Sequence, residues 1–203
     1  PVERQYRLHE PLMEAGRAAG FPVTEDIHGA QEEGFSRGEL TIGPDGKRSS
    51  TARAYLEPAM RRPNLTVLTG AMTERVLLEK GRAVGVRVRR GGRVRNFRVA
   101  REVILSGGSY NSPQLLMLSG IGPAAHLRSL GIEPVVDLPG VGRNLSEHPR
   151  VPVHFRLKEQ ISFLNQLRFD RAVRSVAQWW LSGTGTFANQ VNSANPILRT
   201  RPE

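Results

Sequence analysis

Between Met72 and Val99 the sequence shifts to a period of two, and this stretch limits the possible folds more than any other. In the run Ala83–Arg89, Val84, Val86 and Val88 fall on one face of a strand, with Gly85, Arg87 and Arg89 on the other. Lys80-Gly81 precedes this run and Gly91-Gly92 follows it, and both are tight-turn pairs. Met72–Glu79, Ala83–Arg89 and Arg93–Val99 are therefore expected to form a three-stranded antiparallel meander. One face should be dry and the other wet and arginine-rich. Val94 and Phe97 are out of phase, which predicts a bulge near Arg95-Asn96.

The next segment reads strand, glycine loop, helix. Glu102–Ser106 is a short apolar strand, broken by Gly107-Gly108-Ser109. Ser112 is placed to cap a helix with Pro113 as its first residue, running through Leu118. Glycines ahead of a helix N-terminus let backbone N–H groups approach a ligand closely, although an ordinary turn between strand and helix has the same shape. Elsewhere a helix is expected over Pro11–Gly20, with Leu12, Ala15 and Ala19 at helical spacing. Phe21–Gly46 reads as loop. Ser49 or Ser50 should cap a helix that Pro58 ends or kinks. Leu65–Leu68 and Val151–Leu157 read as strands, Pro123 opens a helix stopped by Gly131, and Val135-Val136 is short and extended. Arg168–Leu181 is helical, with Phe169, Val173, Val176 and Trp180 near one face.

Composition narrows the chemistry. The 203 residues contain no cysteine, which excludes disulfides, thiolate metal sites and cysteine nucleophiles. No apolar run reaches the roughly 18 residues of a membrane span. The segment PVERQYRLHEP has no apolar core of a signal peptide. Of 29 basic residues only three are lysine. The arginines are scattered, with one dense stretch between Arg87 and Arg101, and their abundance reads mainly as the codon usage of a GC-rich genome. Gly120-Ile121-Gly122-Pro123-Ala124-Ala125 fits a relaxed dinucleotide fingerprint, but a helix and not a strand precedes it, so it reads as a tight helix–helix corner. Gly34-Phe35-Ser36-Arg37-Gly38 fits G-x-S-x-G, with Asp137 and His148 or His154 as formal partners, yet the polar GAQEE before it is no buried strand. None of the five histidines pairs at metal-ligand spacing. His148, beside Glu147, either anchors its own turn or lies near a ligand.

The run Gly108-Ser109-Tyr110-Asn111-Ser112-Pro113-Gln114-Leu115-Leu116-Met117-Leu118-Ser119-Gly120-Ile121-Gly122 resembles the second signature of the glucose–methanol–choline (GMC) oxidoreductase family. GKRSSTARAYLEPAMRRPNLTVLTGA, LGIEPVVDLPGVGRNL and the Glu147-His148-Pro149 turn are similar to the family in order and spacing. The resemblance implies an α/β fold: part of a glutathione-reductase-type FAD-binding domain with the meander, plus the start of an antiparallel-sheet substrate domain. It places a connecting segment at 1–60, the central FAD-binding part at 61–150 and the start of the substrate domain at 151–203. It also implies that backbone around Thr73 meets the adenine of FAD. Ser106, Gly107, Gly108 and Ser109, with Asn111, Ser112 and Pro113, would lie near the adenosine and diphosphate side. Asn144 and His148 would sit in a turn near the domain junction.

The implied activity is FAD-dependent oxidation of the CH–OH group of a small-molecule alcohol, with hydride passing to flavin N5. The family's G-x-G-x-x-G unit and its catalytic histidine pair are absent, so no catalytic or metal-binding residue is assigned. The chain is expected to be an internal piece of a longer enzyme, inactive alone and a poor binder of FAD. Arg150 stands where choline-oxidising members place Glu, which speaks against choline. The alternatives are a basic nucleic-acid-binding module built on the Arg87–Arg101 stretch, or a non-catalytic flavoprotein remnant. Against nucleic acid, only Phe97 of that stretch could stack on a base. Absence of cysteine favours the cytoplasm, and the sequence leaves the oligomeric state undetermined.

Overall fold

A computed structural model describes residues 8–31, 33–43, 45, 47–159, 163–188 and 194–199. In chain order the elements begin with α1 (His9–Ala18), β1 (Gly34–Ser36) and a π-helical turn over Ala52–Leu56 that runs into a short α2 (Glu57–Ala59). Then come β2 (Ala71–Glu79), β3 (Arg82–Arg90), β4 (Arg93–Arg98), α3 (Gly108–Leu118), β5 (Ile121–Gly122), α4 (Ala124–Ser129) and β6 (Val136–Asp137). A 3₁₀ turn over Phe163–Leu167, α5 (Phe169–Ser182), a second 3₁₀ turn over Thr186–Ala188 and β7 (Asn195–Ile197) follow. The fold class is mixed α/β. Two compact units divide the chain: Pro1–Leu65 with Val153–Glu203, and Thr66–Pro152.

In the first unit, α1 buries His9, Met13 and Gly16, one helical face. That face is one residue away from the expected Leu12/Ala15/Ala19 stripe, because the ring of Phe35 packs on Gly16: an added Cβ there would meet it at 2.7 Å. α1 ends with paired bonds, Phe21 N–H to the Gly16 carbonyl and Gly20 N–H to the Arg17 carbonyl, both 3.0 Å. Within the segment read as loop, β1 pairs antiparallel with β7, Phe35 opposite Pro196. Their partners lie some 160 residues apart, so no local pattern announces them.

Ser50 does cap the expected helix, its Oγ accepting from Arg53 N–H at 3.3 Å. Pro58 has no N–H to return to Ala54 and its ring crowds that carbonyl, so the backbone widens into the π turn ahead of it. Arg53 also holds Asp45 through both guanidinium nitrogens. This bond, more than the backbone N–H of Lys47, lowers the Asp45 carboxyl below its ordinary pKa and raises that of Arg53.

The second unit contains the meander. Its order is β2-β3-β4, all antiparallel, as its alternation predicts. Val76 and Val88 are its buried side chains. The β3–β4 register is unbroken across Arg95-Asn96, so the bulge expected there is absent. The irregularities lie between β2 and β3 instead, where Glu74 and Val84 have no opposite residue. The bulge turns Glu74 toward the arginine-rich face, where it meets Arg89 at 2.6 Å and Arg87 at 3.4 Å. Glu79 binds Arg98 at 2.6 Å and raises its pKa.

Leu65–Leu68, Glu102–Ser106 and Val151–Leu157 are not strands in the structure. A strand exists only where a neighbour takes its backbone N–H and C=O groups. Among the described residues no second strand pairs with these segments, and Ile104, Val151 and Phe155 stay exposed.

α3 closes the open edge of β2. The buried Ser119 Oγ accepts from Val76 N–H at 2.8 Å and donates to the Leu115 carbonyl at 2.6 Å. Arg75 donates to the Leu118 carbonyl at 3.1 Å. Ser119→Ala leaves a buried N–H without an acceptor, and is expected to cost about 1–3 kcal/mol in urea unfolding. A loss below the error of that measurement would show that the clamp carries no stability.

Candidate functional site

All ten positions for which the family resemblance implies cofactor contact belong to the second unit. Their centre is the start of α3. The sequence places Pro113 at its first residue, but α3 begins five residues earlier and Pro113 lies inside it. The cost is small, because a proline so near the N-terminus deprives only the Ser109 carbonyl of a partner. Ser112 therefore does not precede the helix. Its Oγ reaches back and accepts from Gly107 N–H at 2.9 Å, fixing the entry turn.

That turn has the geometry of an anion cradle. Gly107 is right-handed (φ −79°, ψ −1°) and Gly108 left-handed (φ +85°). The alternation swings successive N–H groups to one side, and the first turn of α3 adds its own free N–H groups and positive dipole end. A Cβ added at Gly108 would meet nothing within 4 Å, so the backbone stands open to a ligand. Ser106, Gly107, Gly108, Ser109 and Asn111 are exposed, and Ser112 and Pro113 are half-buried.

The other expected positions arrive from two directions. Thr73 lies on β2, half-buried and opposite Val88, three residues from the Val76 that Ser119 holds. Asn144 follows two consecutive turns, Val141 N–H to the Leu138 carbonyl and Arg143 N–H to the Gly140 carbonyl, and has φ +58°. A Cβ at Gly142 would meet Met117 Cε at 3.3 Å, so this turn approaches the C-terminal half of α3. Thr73 and Asn144 thus neighbour the far end of the helix from Gly107. His148 is exposed four residues beyond Asn144.

The corner after α3 follows the helix–helix reading. β5 runs parallel to β6, Ile121 opposite Val136, and α4 starts at once. Asp137 Oδ1 accepts from Ala124 N–H at 2.9 Å and so caps α4, a role that a partner 13 residues away in sequence does not announce. Glu74 carried a readable signal, since the adjacent polar pair Glu74-Arg75 breaks the alternation of its strand.

Ser36 is no nucleophile. It is 1% exposed on β1, and its hydroxyl donates to the Asn195 carbonyl at 3.0 Å. Among the described residues no group of three or more His, Asp or Glu is placed to hold a metal ion. None of the described helices is long and apolar enough to cross a membrane.

The family model described as GMC oxidoreductase matches residues 2–150. The chain belongs to the GMC oxidoreductase family. Among GMC relatives, the oxygen-dependent choline dehydrogenase of Burkholderia multivorans is 42% identical over 196 residues, covering 97% of this chain and 35% of the relative. That of Burkholderia ambifaria is 41% identical with the same coverage. The chain thus spans about a third of the length of the curated relatives it matches. Formate oxidase from Aspergillus oryzae RIB40 superposes with a TM-score of 0.80 at 30% identity, over 93% of this chain and 33% of that one. An FAD-dependent oxidoreductase from Chaetomium thermophilum gives 0.80 at 26% identity, over 91% and 33%. FAD is the cofactor that goes with this family, and the open Gly107–Gly108 turn is chemically suited to a diphosphate.

Proposed function

We propose that this chain holds the adenosine-diphosphate side of FAD within an enzyme that oxidises the CH–OH group of a small alcohol. The observation that carries the reading is the left-handed Gly108, open to ligand and leading directly into α3. Bound FAD would supply the hydride acceptor of the reaction. In this reading the N–H groups of Gly108 and Ser109 bind diphosphate oxygens. Ser112 keeps the turn in shape through Gly107, and the β2 backbone around Thr73 meets the adenine. Asn144 and His148 belong to a turn that helps position the cofactor. The chain's own residues thus bind and orient, and none is proposed as the base that removes the alcohol proton.

Choline is the first alcohol to test, because relatives covering nearly the whole chain carry that name. Arg150 argues the other way at one position, since an arginine repels a quaternary ammonium. The test is anaerobic addition of choline, and separately of uncharged primary alcohols, to the FAD-loaded enzyme. Bleaching of the flavin by an alcohol is the expected result. A flavin that stays oxidised with every alcohol offered would end this reading, and bleaching by uncharged alcohols alone would remove choline.

A further inference from the structure

We propose that the β3–β4 hairpin docks on an anionic phospholipid surface. Residues 71–101 hold ten of the chain's 29 Lys and Arg but two of its 19 Asp and Glu, and so carry a formal +8 of its +10. The fold concentrates this charge further. The register sets Arg90 opposite Arg93 and Val88 opposite Arg95, so Arg90, Arg93 and Arg95 project from one face beside the Gly91-Gly92 turn. Like charges directly across a ladder repel. Elsewhere in the sheet the repulsion is compensated, by Glu74 for Arg87 and Arg89 and by Glu79 for Arg98. Among the described residues Arg90, Arg93 and Arg95 enter no ion pair.

Guarding an open edge explains charges on β4, which is the edge strand and exposed throughout. It does not explain Arg90, which belongs to the central strand β3 and adds to the same cluster. Phe97, two residues beyond Arg95 on the same face, is more than a third exposed and gives the patch an apolar side chain that suits a headgroup boundary. Basic side chains near an anionic leaflet each add to partitioning, and no groove is needed. A nucleic-acid surface fits less well, because Phe97 alone could stack.

The test is co-sedimentation of the full chain with vesicles of phosphatidylcholine alone and of phosphatidylcholine mixed with phosphatidylglycerol. Binding is expected on the mixed vesicles only, weakening with salt. Replacing Arg90, Arg93 and Arg95 together by Gln should reduce partitioning about a hundredfold, and Arg93→Gln alone about fivefold. Trp180→Glu, on α5, should leave the anionic preference in place and so separates it from the exposed apolar side chains of that helix. Equal binding to both vesicle types, a triple variant that binds like the parent, loss of the preference in Trp180→Glu, or tighter binding to duplex DNA than to the mixed vesicles would each overturn the proposal.

Discussion

Replacing Gly120 by alanine is expected to destabilise the second unit by about 3 kcal/mol. Two costs combine. Gly120 has φ +84°, where a side chain costs about 1–2 kcal/mol. A Cβ there would also lie 2.8 Å from the Glu133 carbonyl oxygen and 2.9 Å from Val135 Cγ2. Neither neighbour can yield, because Val135 N–H and Val136 N–H both bond to the Gly120 carbonyl, at 2.7 and 3.1 Å. The shift would also be felt at Leu127, which is fully buried beside Gly122. Urea unfolding with an unchanged m-value checks this, and a loss under about 1 kcal/mol would show that the corner is looser than described.

Gly108→Val should act on the cofactor more than on the fold. A Cβ at Gly108 meets no protein atom, so the protein pays only for the left-handed backbone. A bound diphosphate would meet the new side chain directly. FAD affinity is expected to fall about tenfold or more, equivalent to ~1.4 kcal/mol or more, by equilibrium dialysis of the enzyme. An unchanged affinity would remove Gly108 from the binding surface. Because Gly120 and Gly108 lie at opposite ends of α3, the two variants separate loss of packing from loss of ligand.

The sequence was most legible where structure is set by neighbours in the chain. The meander, the Gly20 and Gly131 helix ends and α5 follow from periodicity and turn chemistry, which act over a few residues. The reading failed where a distant group decides. Phe35 chose which face of α1 to bury, and Asn195–Ile197 made a strand of Gly34–Ser36. Apolar runs such as Leu65–Leu68 read as strands because their composition suits one, while a ladder needs a second strand that composition does not supply. At the site, the glycine turn was visible as glycines, but its handedness and the start of α3 were not. Pro113 suggested a first helical residue, and the helix tolerates it at its sixth.

The pairing of β1 with β7 bears on the order in which the molecule assembles during synthesis. Gly34 emerges long before its partner Ile197, and Thr66–Pro152 emerges whole between them. That intervening unit is closed by local hairpins and short corners, so it can fold while the earlier residues wait. Once compact, it shortens the flexible span that the last ladder must close, and each halving of that span lowers the closure cost by about 0.6 kcal/mol. Slowing translation after Pro152 should therefore help the protein reach its native state, whereas truncation ahead of Asn195 should strand the first unit with β1 unpaired.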